Sequence, residues 1–254
     1  MKKLSVFGSI AIALSLSCSA TAQDMPAGNV VQSIACSLNE GVSMNEVVTW
    51  ARNVPREADT SPGAIFFRQS IFGGNFRENN DFVIASYWGT YENMDSRVQA
   101  RGDMPANRVR SGVRASDLYT CNPSSLRVSI VRGVNPGNDG FTGDQTIMTT
   151  RFCRLNEGET VADAYAFAQG VAANYREGGH NGLMQLSTRG LTPVGNTVAG
   201  SGVVITAVPA TRQAWRERMD YGRENNVLEG LSLPMACDYP MMWITNAVYR
   251  QQNN

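Results

Sequence analysis

"CSLNEG" at Cys36 to Gly41 and "CRLNEG" at Cys153 to Gly158 are nearly the same six residues written twice, 117 positions apart. The agreement continues outward from these words. Ser43 falls on Thr160, and each opens a helix-start signal, Ser43-Met-Asn-Glu46 and Thr160-Val-Ala-Asp163. A hydroxyl followed three residues later by a carboxylate is a capping box, in which side-chain and backbone groups satisfy each other at the first turn. Behind the caps Met44, Val47, Val48, Ala51 and Val54 share one helical face, as do Val161, Ala164, Tyr165, Ala168 and Ala172. Ahead of them lie "NVVQSIACS" and "TIMTTRFCR", β-rich runs that read as strands. Strand, tight turn with Gly41 or Gly158, helix: the unit is predicted twice.

The first unit goes on with "AIFFRQSIF" and "DFVIASYWG", strand-like runs separated by the turn-rich "GGNFRENN". The second answers with "GLMQLSTRGL" and "GVVITAVPA", separated by "TPVGNTVAGS". A polar helical stretch follows in each, around Asn93 to Arg101 and Thr211 to Tyr221. Each unit closes on a Cys, a nearby Pro and a last strand, "CNPSSLRVSIV" and "CDYPMMWITNAVY". The order β-α-β-β-α-β is the split unit of ferredoxin-like folds. The predicted class is α+β, with a first ferredoxin-like unit over 25–132, a Gly-rich linker over 133–144 and a second unit over 145–250.

Residues 1–22 read as a signal peptide. Lys2 and Lys3 form the charged start, Leu4 to Leu16 the short apolar core, and Ala20 and Ala22 the small residues of a cleavage site before Gln23. Lipidation at Cys18 is the alternative, against which Ser15 stands where that pattern wants Leu. The expected location is periplasmic or secreted. Lys2 and Lys3 are the only lysines, so the remaining 20 basic residues are all arginine, against 22 acids, a net charge near −2. That charge argues against a general nucleic-acid or anionic-membrane binder. A mature chain without lysine has no Schiff base, pyridoxal phosphate anchor or phosphate-loop lysine, and a single histidine, His180, rules out a three-histidine zinc site. No cofactor and no metal are expected.

Two such units in tandem resemble the dimeric α+β barrel superfamily, the architecture of antibiotic-biosynthesis-monooxygenase-like domains, with a fused duplication in place of the dimer. The resemblance rests on element order and carries no catalytic motif onto any residue. It implies a pseudo-dimeric α+β barrel, a pseudo-twofold relation between the units, and a monomer, since the duplication replaces a partner. It also bears on the four mature cysteines, for which three pairings are formally open. In a split unit the first and last strands are antiparallel neighbours, which implies Cys36 with Cys121 and Cys153 with Cys237.

The candidate site residues are few. Asn39, Glu40, Asn156 and Glu157 read either as paired polar groups at the mouths of two pockets or as turn formers whose carboxylates favour a helix start. His180 lies in the turn "EGGHNG". Trp50, Tyr87 and Trp88 read as ligand-binding aromatics or as core. The Arg97, Arg101, Arg108, Arg110 and Arg114 series is interleaved with Asp95, Asp103 and Asp117 and reads as a solvated face, and "RGD" at Arg101 to Asp103 as a coincidence. The two units differ at their aromatic positions: Trp50 meets Phe167, and His180 has no counterpart. Any ligand site is therefore expected to be one-sided. Two function classes follow: a non-enzymatic module holding a small apolar or aromatic ligand or a partner, and a cofactor-independent monooxygenase-like enzyme acting on a small apolar or aromatic substrate.

Overall fold

The structure, a computed structural model, describes residues 25–56, 61–72, 80–102, 112–135, 141, 143–190 and 202–251. The signal segment with Cys18, the connectors "GGNFRENN" and "TPVGNTVAGS", half of the linker, and Arg108, Arg110 and the end of "RGD" lie outside the described residues, apart from Asn80. The chain runs β1 (Asn29–Leu38), α1 (Met44–Arg52), β2 (Ala64–Phe72), β3 (Phe82–Trp88), α2 (Tyr91–Gly102), α3 (Ala115–Leu118), β4 (Tyr119–Cys121) and β5 (Arg127–Gly133). It continues with β6 (Gln145–Leu155), α4 (Val161–Glu177), β7 (Leu183–Arg189), β8 (Gly202–Val208), α5 (Arg212–Glu224), β9 (Met235–Cys237) and β10 (Met241–Arg250).

Both helix starts form as the sequence dictates. The Ser43 hydroxyl accepts from the Glu46 N–H and the Glu46 carboxylate accepts from the Ser43 N–H, and Thr160 and Asp163 do the same at α4. In the turns before them Gly41 and Gly158 sit at φ +77° and +81°, the left-handed region that glycine enters without a Cβ penalty.

The strands pair in the order β10-β2-β3-β1-β5-β7-β8-β6, and β6 pairs back onto β10, so eight antiparallel strands close into a barrel. Short β4 continues the line of β5 along β1, and β9 that of β10 along β6. Pro123 and Pro240, which have no N–H to give a ladder, stand at these two breaks. The expected fold class, two tandem ferredoxin-like βαββαβ units packed as a pseudo-dimeric α+β barrel, is corrected by this topology. There is one closed eight-stranded barrel with the helices packed on it, and neither half keeps a sheet of its own. The physical reason lies in the edges. A separate four-stranded sheet would leave β2 and β5, or β7 and β10, with a row of unpaired N–H and C=O groups; pairing β5 with β7 and β2 with β10 removes all four.

Strand alternation divides the side chains between two faces. On the outside Ile34, Cys36, Phe67, Phe82 and Val248 pack under Val47, Val48 and Ala51 of α1, and Cys153, Leu155, Met184, Leu186 and Val203 under Ala164, Ala168 and Ala172 of α4. Inside, Val31, Ala85 and Val131 meet at one end, and Met148, Val208, Trp243 and Ala247 at the other. Cys36 is bonded to Cys121 and Cys153 to Cys237, each pair directly opposite across an antiparallel ladder. Closing loops of 85 and 84 residues removes about 4 to 5 kcal/mol of unfolded-chain entropy each in the loop-closure picture.

Candidate functional site

Periodicity places one polar residue on each of the outer faces of β1 and β3, which are otherwise apolar. Gln32 shares its face of β1 with Ile34 and Cys36, and Ser86 shares its face of β3 with Phe82, Ile84 and Trp88. They are direct neighbours in the β1–β3 register, and Ile65 of β2 stands opposite Ser86. Above them α1 is too short to cover the sheet, ending at Arg52, and the chain returns across the gap with Arg56 and Ser61. From the other side α2 brings Met94 and Arg97. These residues and Trp88 enclose a cavity of about 80 Å³. A wider open groove of about 640 Å³ shares Ser61 and Trp88 with it and runs over Asn29, Ala64, Tyr87 and Asn93. Together they offer a small polar recess at the end of a ligand-sized groove.

Among the described residues, two arginines, Arg56 and Arg97, line the recess. Arg56 donates to the Ala51 and Val54 carbonyls, which fixes it at the C-terminal end of α1, and its guanidinium lies 5.1 Å from the centre of the Tyr249 ring. Burial holds its pKa below the ordinary arginine value, the Tyr249 hydroxyl opposes that, and the like charge of Arg97 adds to it. Trp88 is 4% exposed, and its indole N–H is buried without a hydrogen-bond partner among the described residues. An indole N–H removed from water and left unpaired is costly, so its place at this wall marks a point that an acceptor would relieve.

The other candidates are placed elsewhere. The Asn39 amide donates to the Ser116 carbonyl and the Asn156 amide to the Leu233 carbonyl, so each asparagine ties its turn to the segment entering β4 or β9. Glu40 and Glu157 are exposed on those turns. Trp50 donates from its indole to the Val113 carbonyl and packs edge-on to Tyr119. His180 lies against Tyr221, ring centres 4.6 Å apart, in the second half. Tyr87 points into the barrel, where its hydroxyl accepts from Arg68, while other atoms of it line the groove. Of the eight candidates, Tyr87 and Trp88 meet at the cavity and groove. Sequence reasoning missed Gln32, Arg56, Ser61 and Ser86 and took Arg97 for part of a solvated face. The signal available for Gln32 and Ser86 was a polar residue at an apolar phase of its strand. For Arg56 there was none, since its place depends on where the chain turns after α1.

No known family matches the chain, and no curated protein matches it. Among solved structures it is similar to a protein of Lactobacillus acidophilus provisionally named a monooxygenase, at a TM-score of 0.43 and 10% identity over 87% of this chain and 95% of that one. A second, from Fusobacterium nucleatum and provisionally named in the same way, gives 0.42 and 9% identity over 90% of this chain and 100% of that one. An anthrone oxidase-like protein gives 0.40 and 12% identity over 90% of this chain and 93% of that one. Likeness at this distance carries no activity onto the residues of this chain.

Proposed function

We propose that this chain is an exported small-ligand protein with one site, the recess and groove of the first half, and that the site binds its ligand without turning it over. The observation that carries the reading is the cavity between β1–β3 and α2, bounded by Arg56 and Ser61, where the corresponding second-half position is taken by buried Arg218 packed on the Tyr175 ring. Among the described residues, the ionisable ones lining the recess are Arg56 and Arg97. Guanidinium groups bind and orient, and they are poor proton carriers near neutral pH. The two disulfides support export.

The test is titration with neutral aromatic and apolar compounds, followed by amide chemical shifts and calorimetry. One equivalent should bind, with shifts centred on Gln32, Ser86 and Trp88. Two equivalent sites, or shifts centred on α4 and α5, would overturn the reading. Dissolved oxygen is followed in the same titrations, because steady consumption with product formation would instead establish the cofactor-independent monooxygenase-like enzyme.

A further inference from the structure

Two side chains of the recess are out of place in a helix–sheet layer. Gln32 and Ser86 are partners across the β1–β3 ladder, at positions whose neighbours on the same faces are apolar, and both line the recess. Directly opposite residues stand about 4.5 to 5.5 Å apart at Cβ, so the amide and the hydroxyl reach the same small volume. Among the described residues neither side chain makes a hydrogen bond, and neither does the indole N–H of Trp88, two residues along β3 on the same face. The arginines are already engaged: Arg56 donates from its two terminal nitrogens to the Val54 and Ala51 carbonyls, and Arg97 has an interaction of its own. The unused capacity at the ladder is neutral and of both kinds, with donors on Gln32, Ser86 and Trp88 and acceptors on Gln32 and Ser86. About 80 Å³ admits a compact group of a few heavy atoms, and the apolar part of a ligand then lies in the groove beyond Trp88.

We propose that the ligand carries an uncharged carboxamide, seated in the recess against Gln32, with its apolar body laid along Trp88 and Tyr87 in the groove. This rests on the site assignment made above. A glutamine side chain and a ligand amide are each other's complement: the ligand carbonyl accepts from the Gln32 amide N–H while the ligand N–H donates to the Gln32 carbonyl. The Ser86 hydroxyl and the Trp88 N–H are further donors to that carbonyl at the same wall. A ketone supplies the acceptor half of this pattern alone, and a carboxylate supplies acceptors alone and brings a charge that must be taken out of water. For packing, an aliphatic side chain would serve better at position 32, as Val30 and Ile34 do on either side of it.

The experiment compares head groups of one shape on the same apolar body: benzamide, acetophenone and benzoate, then 3-phenylpropanamide, 4-phenylbutan-2-one and 3-phenylpropanoate, titrated calorimetrically into the disulfide-bonded protein. In at least one series the amide should bind about fivefold or more tighter than both its ketone and its carboxylate. Gln32→Met, which keeps the volume and removes both hydrogen-bonding groups, should bring amide and ketone to within about twofold of each other. Trp88→Phe should weaken amide and ketone by the same factor, since both present a carbonyl. Thermal unfolding of Gln32→Met should lie at or above that of the parent, because an amide without a protein partner is exchanged for an apolar side chain; a variant that unfolds well below the parent would make Gln32 a structural residue and overturn the proposal. Equal affinity of amide and ketone in both series, a preference that survives Gln32→Met, or tightest binding by a carboxylate overturns the carboxamide while the groove still binds. No binding by any of the six overturns the site assignment and this inference together.

Discussion

The helix–sheet layer of the first half and that of the second are built on the same ladder and end in opposite conditions. In the first, Gln32 stands opposite Ser86 and Ser86 opposite Ile65; in the second, Thr149 stands opposite Ala207 and Ala207 opposite Met184. Thr90 and Thr211 each accept a backbone N–H three residues on, so both covering helices start alike. Seven residues after these threonines come Arg97 and Arg218. Arg97 lines a cavity, whereas Arg218 is 2% exposed and lies 4.0 Å over the Tyr175 ring. The difference is made by α4, which runs to Glu177 while α1 ends at Arg52. The longer helix reaches Tyr175, whose ring occupies the layer and gives Arg218 a face to rest on. Two helical turns of extra chain thus separate a packed layer from an open one.

If the halves share a frame, removing either disulfide should cost the same. The loops differ by one residue, so Cys36→Ser with Cys121→Ser and Cys153→Ser with Cys237→Ser should each lower unfolding stability by about 2 to 5 kcal/mol in chemical denaturation. A gap above about 1 kcal/mol between the two would show that one half holds structure in the unfolded chain that the other does not.

The filled and open layers should respond differently to loss of their arginines. Arg218→Ala removes a buried stem and its aromatic contact and should cost about 2 to 4 kcal/mol. Arg218→Met keeps the volume and drops a buried charge whose Nε has no partner among the described residues, so it should recover most of that loss. Arg97→Gln should stay within about 0.5 kcal/mol of the parent. Thermal unfolding of the three variants side by side checks this, and equal destabilisation by Arg218→Ala and Arg97→Gln would erase the distinction between the layers.

The caps offer a smaller comparison. Ser43→Ala and Thr160→Ala should each cost about 1 kcal/mol, because each leaves a helix-start N–H without its hydroxyl acceptor. A much smaller loss at Thr160 would mean that the longer α4 is held by its packed face and depends little on its start.

These local devices were the legible part of the sequence. Capping boxes, glycine turns and strand alternation depend on residues within a few positions of one another, and Ser43, Gly41 and Thr160 each carry their meaning in the neighbouring letters. The closing of the barrel was not legible in the same way. The pairings that decide it, Arg68 opposite Thr245 and Val131 opposite Ser187, join residues far apart along the chain, and no side chain in them differs from those of an ordinary sheet edge. The cavity was half legible: Trp88 drew attention as an aromatic, but Arg56 enters it only because α1 stops four residues earlier.

The smallest effect expected is on the acid side. Glu46 is held below its ordinary carboxylate value, first by the Ser43 hydroxyl and then by the Ser43 backbone N–H, both of which favour the ionised form. A folded-state pKa depressed in this way contributes stability that is fully present above the unfolded value, near 4.5, and is lost as the pH falls through the lowered folded one. Titration of the Glu46 side-chain carboxyl carbon by NMR should therefore show a midpoint below 4.5, and amide exchange at the first turn of α1 should quicken across the same window. In Ser43→Ala the midpoint should move back toward the ordinary value without reaching it, since the backbone N–H at position 43 remains as a donor. A midpoint at or above 4.5 in the parent protein would mean that the capping box is not closed in solution, and the shared helix start of the two halves would lose its first member.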